Sequence, residues 1–196
     1  ALALLALGST AAADALSSAD EIIARADMAS YYAGADGRSE VRMVISDAQG
    51  REQRRQFTVL RRDVDEAGDQ QFLVVFSQPS DVRHTVFLVN KPTHKDDDRW
   101  LYLPGLDLVK RIAAGDKRTS FVGSHFYYED VSGRRLTDDH HELVEVTDSY
   151  YVIKNTPKDP ELVAFDSYTL CIHKASVRPF QVKSAKDGEF YRVAQT

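Results

Sequence analysis

From residue 39 onward, apolar side chains recur at every second position, and this period predicts a protein built mostly of half-buried β-strands. Val41, Met43 and Ile45 alternate with Arg42 and Ser46 until Asp47-Ala48-Gln49-Gly50 turns the chain. The return segment, 53–62, carries Phe57 and Val59 on one face and Arg54, Arg55, Arg61 and Arg62 near its ends. Residues 72–76, Phe-Leu-Val-Val-Phe, are apolar on both parities, which predicts a strand covered on both faces. Further strands are predicted at 85–89, 99–103, 108–112, 143–147, 150–154 and 165–172. A last hairpin, 179–184 with 190–193, turns at Asp187-Gly188, a strong hairpin signal.

One segment breaks the period. Over 18–33, Ile22, Ile23, Ala26, Met28 and Ala29 form an apolar stripe at helical spacing, with Ser18 and Glu21 placed as a capping box. Gly34 and Gly37 end it. One helix and about ten antiparallel strands cannot close a core as a flat sheet; long twisted sheets curl and need cover on their concave face. The pattern predicts an α+β half-barrel with Ile22, Ile23 and Ala26 packed across that face.

At 196 residues the chain is one domain, able to bury roughly two-thirds of its unfolded surface. Its net charge of −5 is spread without a basic block, which excludes tracking of nucleic-acid phosphates. A lone cysteine, Cys171, excludes an internal disulfide and a cysteine zinc cluster, and its alternating surroundings predict a buried, inert thiol. Residues 1–7 are apolar and 8–13 small, the pattern of a secretory signal remnant cleaved after Ala13 or Ala15. The run is shorter than the roughly 20 residues a membrane span needs. Domain organisation is thus expected as a signal remnant over 1–15 and a single domain over 16–196. No cysteine follows the small residues, so lipid anchoring at this end is not indicated. The last strand stops without a turn or polar tail, so the domain is expected to continue beyond Thr196.

Catalytic chemistry finds little support. His140-His141-Glu142 offers metal-ligand types, but adjacent histidines on a strand point to opposite faces. His125 and Glu129 make the other such cluster, without the H-E-x-x-H pattern. Ser124 lies between Gly123 and His125 but lacks a G-x-S-x-G elbow, and reads as a turn. Asp96-Asp97-Asp98 reads as a solvated hairpin tip. The expectation is a non-enzyme with no metal and no cofactor.

The aromatic residues point elsewhere. Trp100 and Tyr102 share one strand face, Leu101 and Leu103 the other. Any single aromatic is simply explained as core. As a set, they predict an apolar interior larger than a small domain requires, and such interiors commonly host a ligand. Phe57, Val59, Phe72, Val74, Phe87, Val89, Trp100, Tyr102 and Phe121 are the expected lining residues, and an acyl chain the expected guest.

Residues 96–131, DDDRWLYLPGLDLVKRIAAGDKRTSFVGSHFYYEDV, closely resemble the WLYLP…RRI…FMGSDFSYEDL signature of the LolA-like family of outer membrane lipoprotein-sorting proteins. Segments 50–55, 76–83, 153–158 and 180–192 are also similar to that family's pattern, so the likeness covers nearly the whole mature chain. Arg54, Arg55 and Arg111 match its basic positions; His84 stands where it usually has Gly, and His125 where it usually has Asp. The resemblance implies a strongly curved antiparallel sheet, an incomplete β-barrel of the LolA and LolB kind, with an N-terminal helix and short helices covering the concave face. It also implies a periplasmic carrier of lipoprotein acyl chains or lipids, working with an inner-membrane exporter and an outer-membrane acceptor. Two alternatives stand beside it. One is a module of the same fold that senses envelope lipids and signals to a membrane partner; the other is a lipid-ester hydrolase using Ser124 with a histidine.

Overall fold

Ser18 opens the part of the chain that the computed structural model describes, residues 18–195, so the signal-like segment lies outside it. The Ser18 side chain accepts a hydrogen bond from the Glu21 amide at 3.1 Å and starts α1 (Ala19–Tyr31). Such a cap contributes about 1 kcal/mol. The reciprocal half of the expected box is replaced, because Glu21 pairs instead with Arg25 one turn on.

Six strands follow as an antiparallel meander: β1 (Asp36–Ser46), β2 (Glu52–Asp63), β3 (Gln70–Gln78), β4 (Val86–Lys91), β5 (Asp98–Leu103) and β6 (Leu108–Ile112). Asp47 makes the first hairpin tight by accepting the amides of Gln49 and Arg51, each at 2.9 Å. A crossing over residues 113–138, containing the short α2 (Tyr128–Ser132), leads to a second sheet. This sheet orders β11 (Glu189–Gln195), β10 (Arg178–Lys186), β9 (Ser167–His173), β8 (Tyr150–Pro157) and β7 (Asp139–Val146), again antiparallel. Asp187 and Gly188 both take positive φ in the last hairpin, as its two-residue turn requires. His84 also holds a left-handed φ of 64°, which accounts for the glycine usual at that place in the resembled pattern.

Two cores result. In the first, Phe57, Phe72, Val74, Phe76, Phe87, Val89 and Leu101 from the inner face of the β1–β6 sheet close on Phe121 and Tyr128 of the crossing. In the second, Ile22, Ile23 and Ala26 of α1 bury against Tyr151, Ile153 and Ile172 of the other sheet, as the helical stripe predicts. The expectation of cover on both faces of β3 is corrected. Its residues alternate between buried and half-buried, because Leu73 and Val75 shelter only beside cross-strand neighbours such as Leu88 and Val86. No helix among the described residues is long and apolar enough to cross a membrane.

Candidate functional site

Register across the second sheet sets the floor of the site. Ile153, Leu170, Val182 and Ala194 stand side by side on β8, β9, β10 and β11. The next row is Asn155, Tyr168, Ser184 and Arg192. Ile153 is fully buried beneath α1, which packs against β10 as well, and the inward residues shrink from Val182 on β10 to Ala194 on β11. An open cavity of about 700 Å³ is left there. Its walls are Ile23, Ala26 and Tyr31 of α1, Phe126 and Leu136 of the crossing, Phe165 of the loop before β9, and Leu170, Val182 and Ala194 of the sheet. That volume lies within the roughly 300–1,000 Å³ usual for small-molecule sites, and the walls are mainly apolar.

A charged hub holds the crossing at the cavity wall. Glu129, buried on α2, receives Arg118 at 2.8 Å, Lys117 at 3.2 Å and Arg134 at 3.5 Å. Burial by itself would raise its carboxyl, but the three cations outweigh that and hold it below the ordinary value. Arg134 also grips the buried Asp139 through two nitrogens, each at 2.9 Å, and the Tyr168 hydroxyl donates to the same carboxylate at 2.7 Å. Burial, then Asp139, pushes the Tyr168 phenol up, so it stays a neutral donor. Arg192 of β11 pairs with Asp130 of α2 and lies 4.7 Å over the Tyr127 ring, while Arg118 lies 4.6 Å over the rings of Tyr127 and Phe165. The guanidinium groups thus face carboxylates and ring faces together.

Gly133 ends α2 with φ +77°, and a Cβ there would sit 2.7 Å from the Tyr31 ring. The close approach locks α1 to the crossing. Gly133→Ala is expected to cost about 1–3 kcal/mol from the strained conformation and the displaced ring, measured as a shift in denaturation midpoint.

The residues expected to line the apolar interior are placed as follows. Phe57, Phe72, Val74, Phe87, Val89 and Phe121 are buried in the first core, with Val59 packed against it. None of them is part of the open cavity's wall. Trp100 and Tyr102 require a correction: β5 turns Leu101 and Arg99 inward, so both aromatics stand half-buried on the outer face, Trp100 beside Leu88. Bulky phenylalanines fill the space inside the first sheet, whereas the smaller residues of β10 and β11 leave it open. The dwindling size of inward residues from Ile153 to Ala194 is the sequence signal for this, readable only once the register is known.

The candidate catalytic groups are otherwise engaged. The Ser124 hydroxyl donates to the Phe121 carbonyl at 2.8 Å and accepts the Phe126 amide at 3.1 Å, the bonding of a turn former. His141 spends its ring nitrogens on the Asn155 side chain at 2.6 Å and the Leu136 carbonyl at 3.0 Å, while His140 is exposed. Cys171 is an unpaired, half-buried thiol. No group of metal-ligating residues assembles among the described residues.

An open antiparallel half-barrel, with a helix on its concave side and an apolar cavity beneath, is a fold this chain shares with several solved structures. Residues 68–196 match a family of uncharacterized proteins, and the chain belongs to that family. Among solved structures, a domain described as an outer membrane lipoprotein-sorting protein, from Vibrio parahaemolyticus, is 29% identical with a TM-score of 0.77 over 89% of this chain and 75% of that one. A DUF1329 family protein from Desulfovibrio piger is 24% identical, with a TM-score of 0.76 over 90% of this chain and 85% of its own. A LolA superfamily protein from Nitrosomonas europaea is 18% identical, with a TM-score of 0.64 over 92% and 77%. The last two are alike in fold alone. No curated protein matches the chain.

Proposed function

We propose that this protein is a non-enzymatic periplasmic carrier that takes up acyl chains of lipids or lipoproteins and moves them toward the outer membrane. The cavity of about 700 Å³ between α1, the crossing and the second sheet is the observation that carries the reading. Each methylene transferred from water to such a space gains about 0.8 kcal/mol, so a long chain is held without covalent chemistry. An inner-membrane exporter would supply the cargo and an outer-membrane acceptor would remove it. Displacement of the crossing would join the cavity to the first core and admit a longer chain beside Phe57, Phe87 and Phe121.

Mass spectrometry of organic extracts from natively purified protein is expected to find lipid near one molecule per chain. Ala194→Trp, which fills the cavity from β11, is expected to remove most of that lipid. Its melting temperature should shift by less than roughly 4 °C, the equivalent of about 1 kcal/mol. Retention of lipid by this variant would place the cargo elsewhere. Turnover of an ester substrate, abolished by Ser124→Ala, would replace the carrier by a hydrolase. Stable capture of a membrane partner without lipid handover would single out a sensor.

A further inference from the structure

Behind α1 lies a second, smaller cavity of about 140 Å³, whose wall includes Asp27, Lys91, Thr93, Arg134, Arg135 and Thr137. It shares Asp27, Arg134 and Leu136 with the apolar cavity, so the two spaces adjoin through one wall. At about 30 Å³ per water-sized group, it holds four or five such groups, the size of a phosphate rather than of a chain. An apolar chamber opening beside a small polar one has the shape of an amphiphile.

The charges in the small chamber are unevenly answered. Arg134 is already gripped by Asp139 and Glu129. Arg135 is held by Asp97 at 3.1 Å and by the Pro92 carbonyl at 2.8 Å, and Asp97 also takes Arg99 at 2.6 Å. Lys91 has no such partner. Its ammonium donates to the Ser132 carbonyl at 2.7 Å and lies 5.2 Å over the Tyr31 ring, and it ion-pairs with no carboxylate among the described residues. Across the same chamber, the Asp27 carboxylate makes no hydrogen bond or ion pair with any described residue. Burial lowers the Lys91 ammonium and raises the Asp27 carboxyl, and each charge partly offsets the other's shift without contact. Two opposite, poorly solvated charges facing one small space leave room for a group between them.

Resting on the carrier reading, we propose that this chamber receives the phosphodiester headgroup of the amphiphile whose tail occupies the apolar cavity. Lys91 meets the phosphate charge and the Thr137 hydroxyl is a further donor on the wall, whereas the Thr93 hydroxyl already donates to Asp69 at 3.0 Å. Asp27 opposes a second negative charge, which favours a diester over a phosphate monoester.

The test compares phosphatidylglycerol, phosphatidic acid and diacylglycerol, all with the same short, water-soluble chains, and inorganic phosphate alone. The wild-type chain is expected to bind phosphatidylglycerol about tenfold or more tightly than diacylglycerol, the size of one charge-assisted hydrogen bond. Lys91→Met should erase that preference and leave diacylglycerol affinity unchanged, while Lys91→Arg should keep most of it. Asp27→Asn should bring phosphatidic acid up to the affinity of phosphatidylglycerol. Equal wild-type affinity for phosphatidylglycerol and diacylglycerol would overturn the headgroup site and leave the carrier standing. Failure of every lipid to bind would overturn the carrier itself. Inorganic phosphate binding as tightly as phosphatidylglycerol would assign the chamber to the free ion and overturn the headgroup. Should Lys91→Met weaken all ligands through misfolding, loss of the preference in a well-folded Lys91→Arg would still overturn the proposal.

Discussion

Phe121→Ala is expected to cost about 3–5 kcal/mol, the range for emptying a buried aromatic site, or roughly 6–20 °C in melting temperature for a chain of this length. Phe121 is 3% exposed and is the ring on which the first core converges. Its centroid lies 5.5 Å from Phe87, 5.6 Å from Tyr128, 5.7 Å from Phe76 and 6.1 Å from Phe57. Phe57, Phe76 and Phe87 sit on strands tied into hydrogen-bonded ladders and Tyr128 on α2, so the three strand-borne rings cannot move in to fill the hole, and the penalty stays near the top of its range. Urea denaturation followed by tryptophan fluorescence measures it. Trp100→Ala, on the outer face, should cost less in a far-ultraviolet circular dichroism melt. A Phe121→Ala protein that melts like the wild type yet no longer retains lipid would return this ring to the ligand wall.

Glu129→Gln is expected to destabilise the chain by about 3–5 kcal/mol, because removing one member of a buried ionic group leaves the others uncompensated. Glu129 is 4% exposed and answers Lys117, Arg118 and Arg134, all themselves largely buried. The same hub gives the protein an acid limb. The folded carboxyl lies below its ordinary value of 4.5, so the native state binds this proton less readily than the unfolded chain. Its stabilisation is complete above that value and is lost as the pH falls through and below it. Denaturation midpoints collected from neutrality downward should therefore decline in the wild type as the pH drops past about 4.5. Glu129→Gln should start lower and decline less. A wild type whose midpoint is flat across that range would remove Glu129 from the ionic hub.

Much of the fold was legible because it rests on local rules. The Ser18 cap, the stripe of Ile22, Ile23 and Ala26, the Asp47 turn and the Asp187-Gly188 hairpin each depend on residues within a few positions of one another, and each falls where the pattern puts it. The apolar run 72–76 read correctly as a strand, in which Phe72, Val74 and Phe76 share the buried face. It did not show what lies opposite their other face, since periodicity reports the strand and not its surroundings. For Trp100 the same rule was sound and its application failed. Trp100 and Tyr102 do share a face, but only the pairing of β5 with β4 decides that Leu101 has the inward one.

The site was less legible still. Glu129 with Arg118 and Arg134, Asp139 with Tyr168, and Asp130 with Arg192 meet across separations of up to 62 residues in the chain. A charged residue in a run of alternating sequence looks alike whether it is solvated or buried against a distant partner. The chain by itself determined the helix, the strands and turns, and, through the segment around Trp100, the class of fold. Only the tertiary structure decided which half of the barrel is filled and which is open. A cavity is a difference between the space that strands and helix enclose and the volume of the side chains turned into it, and neither quantity exists until the register is set.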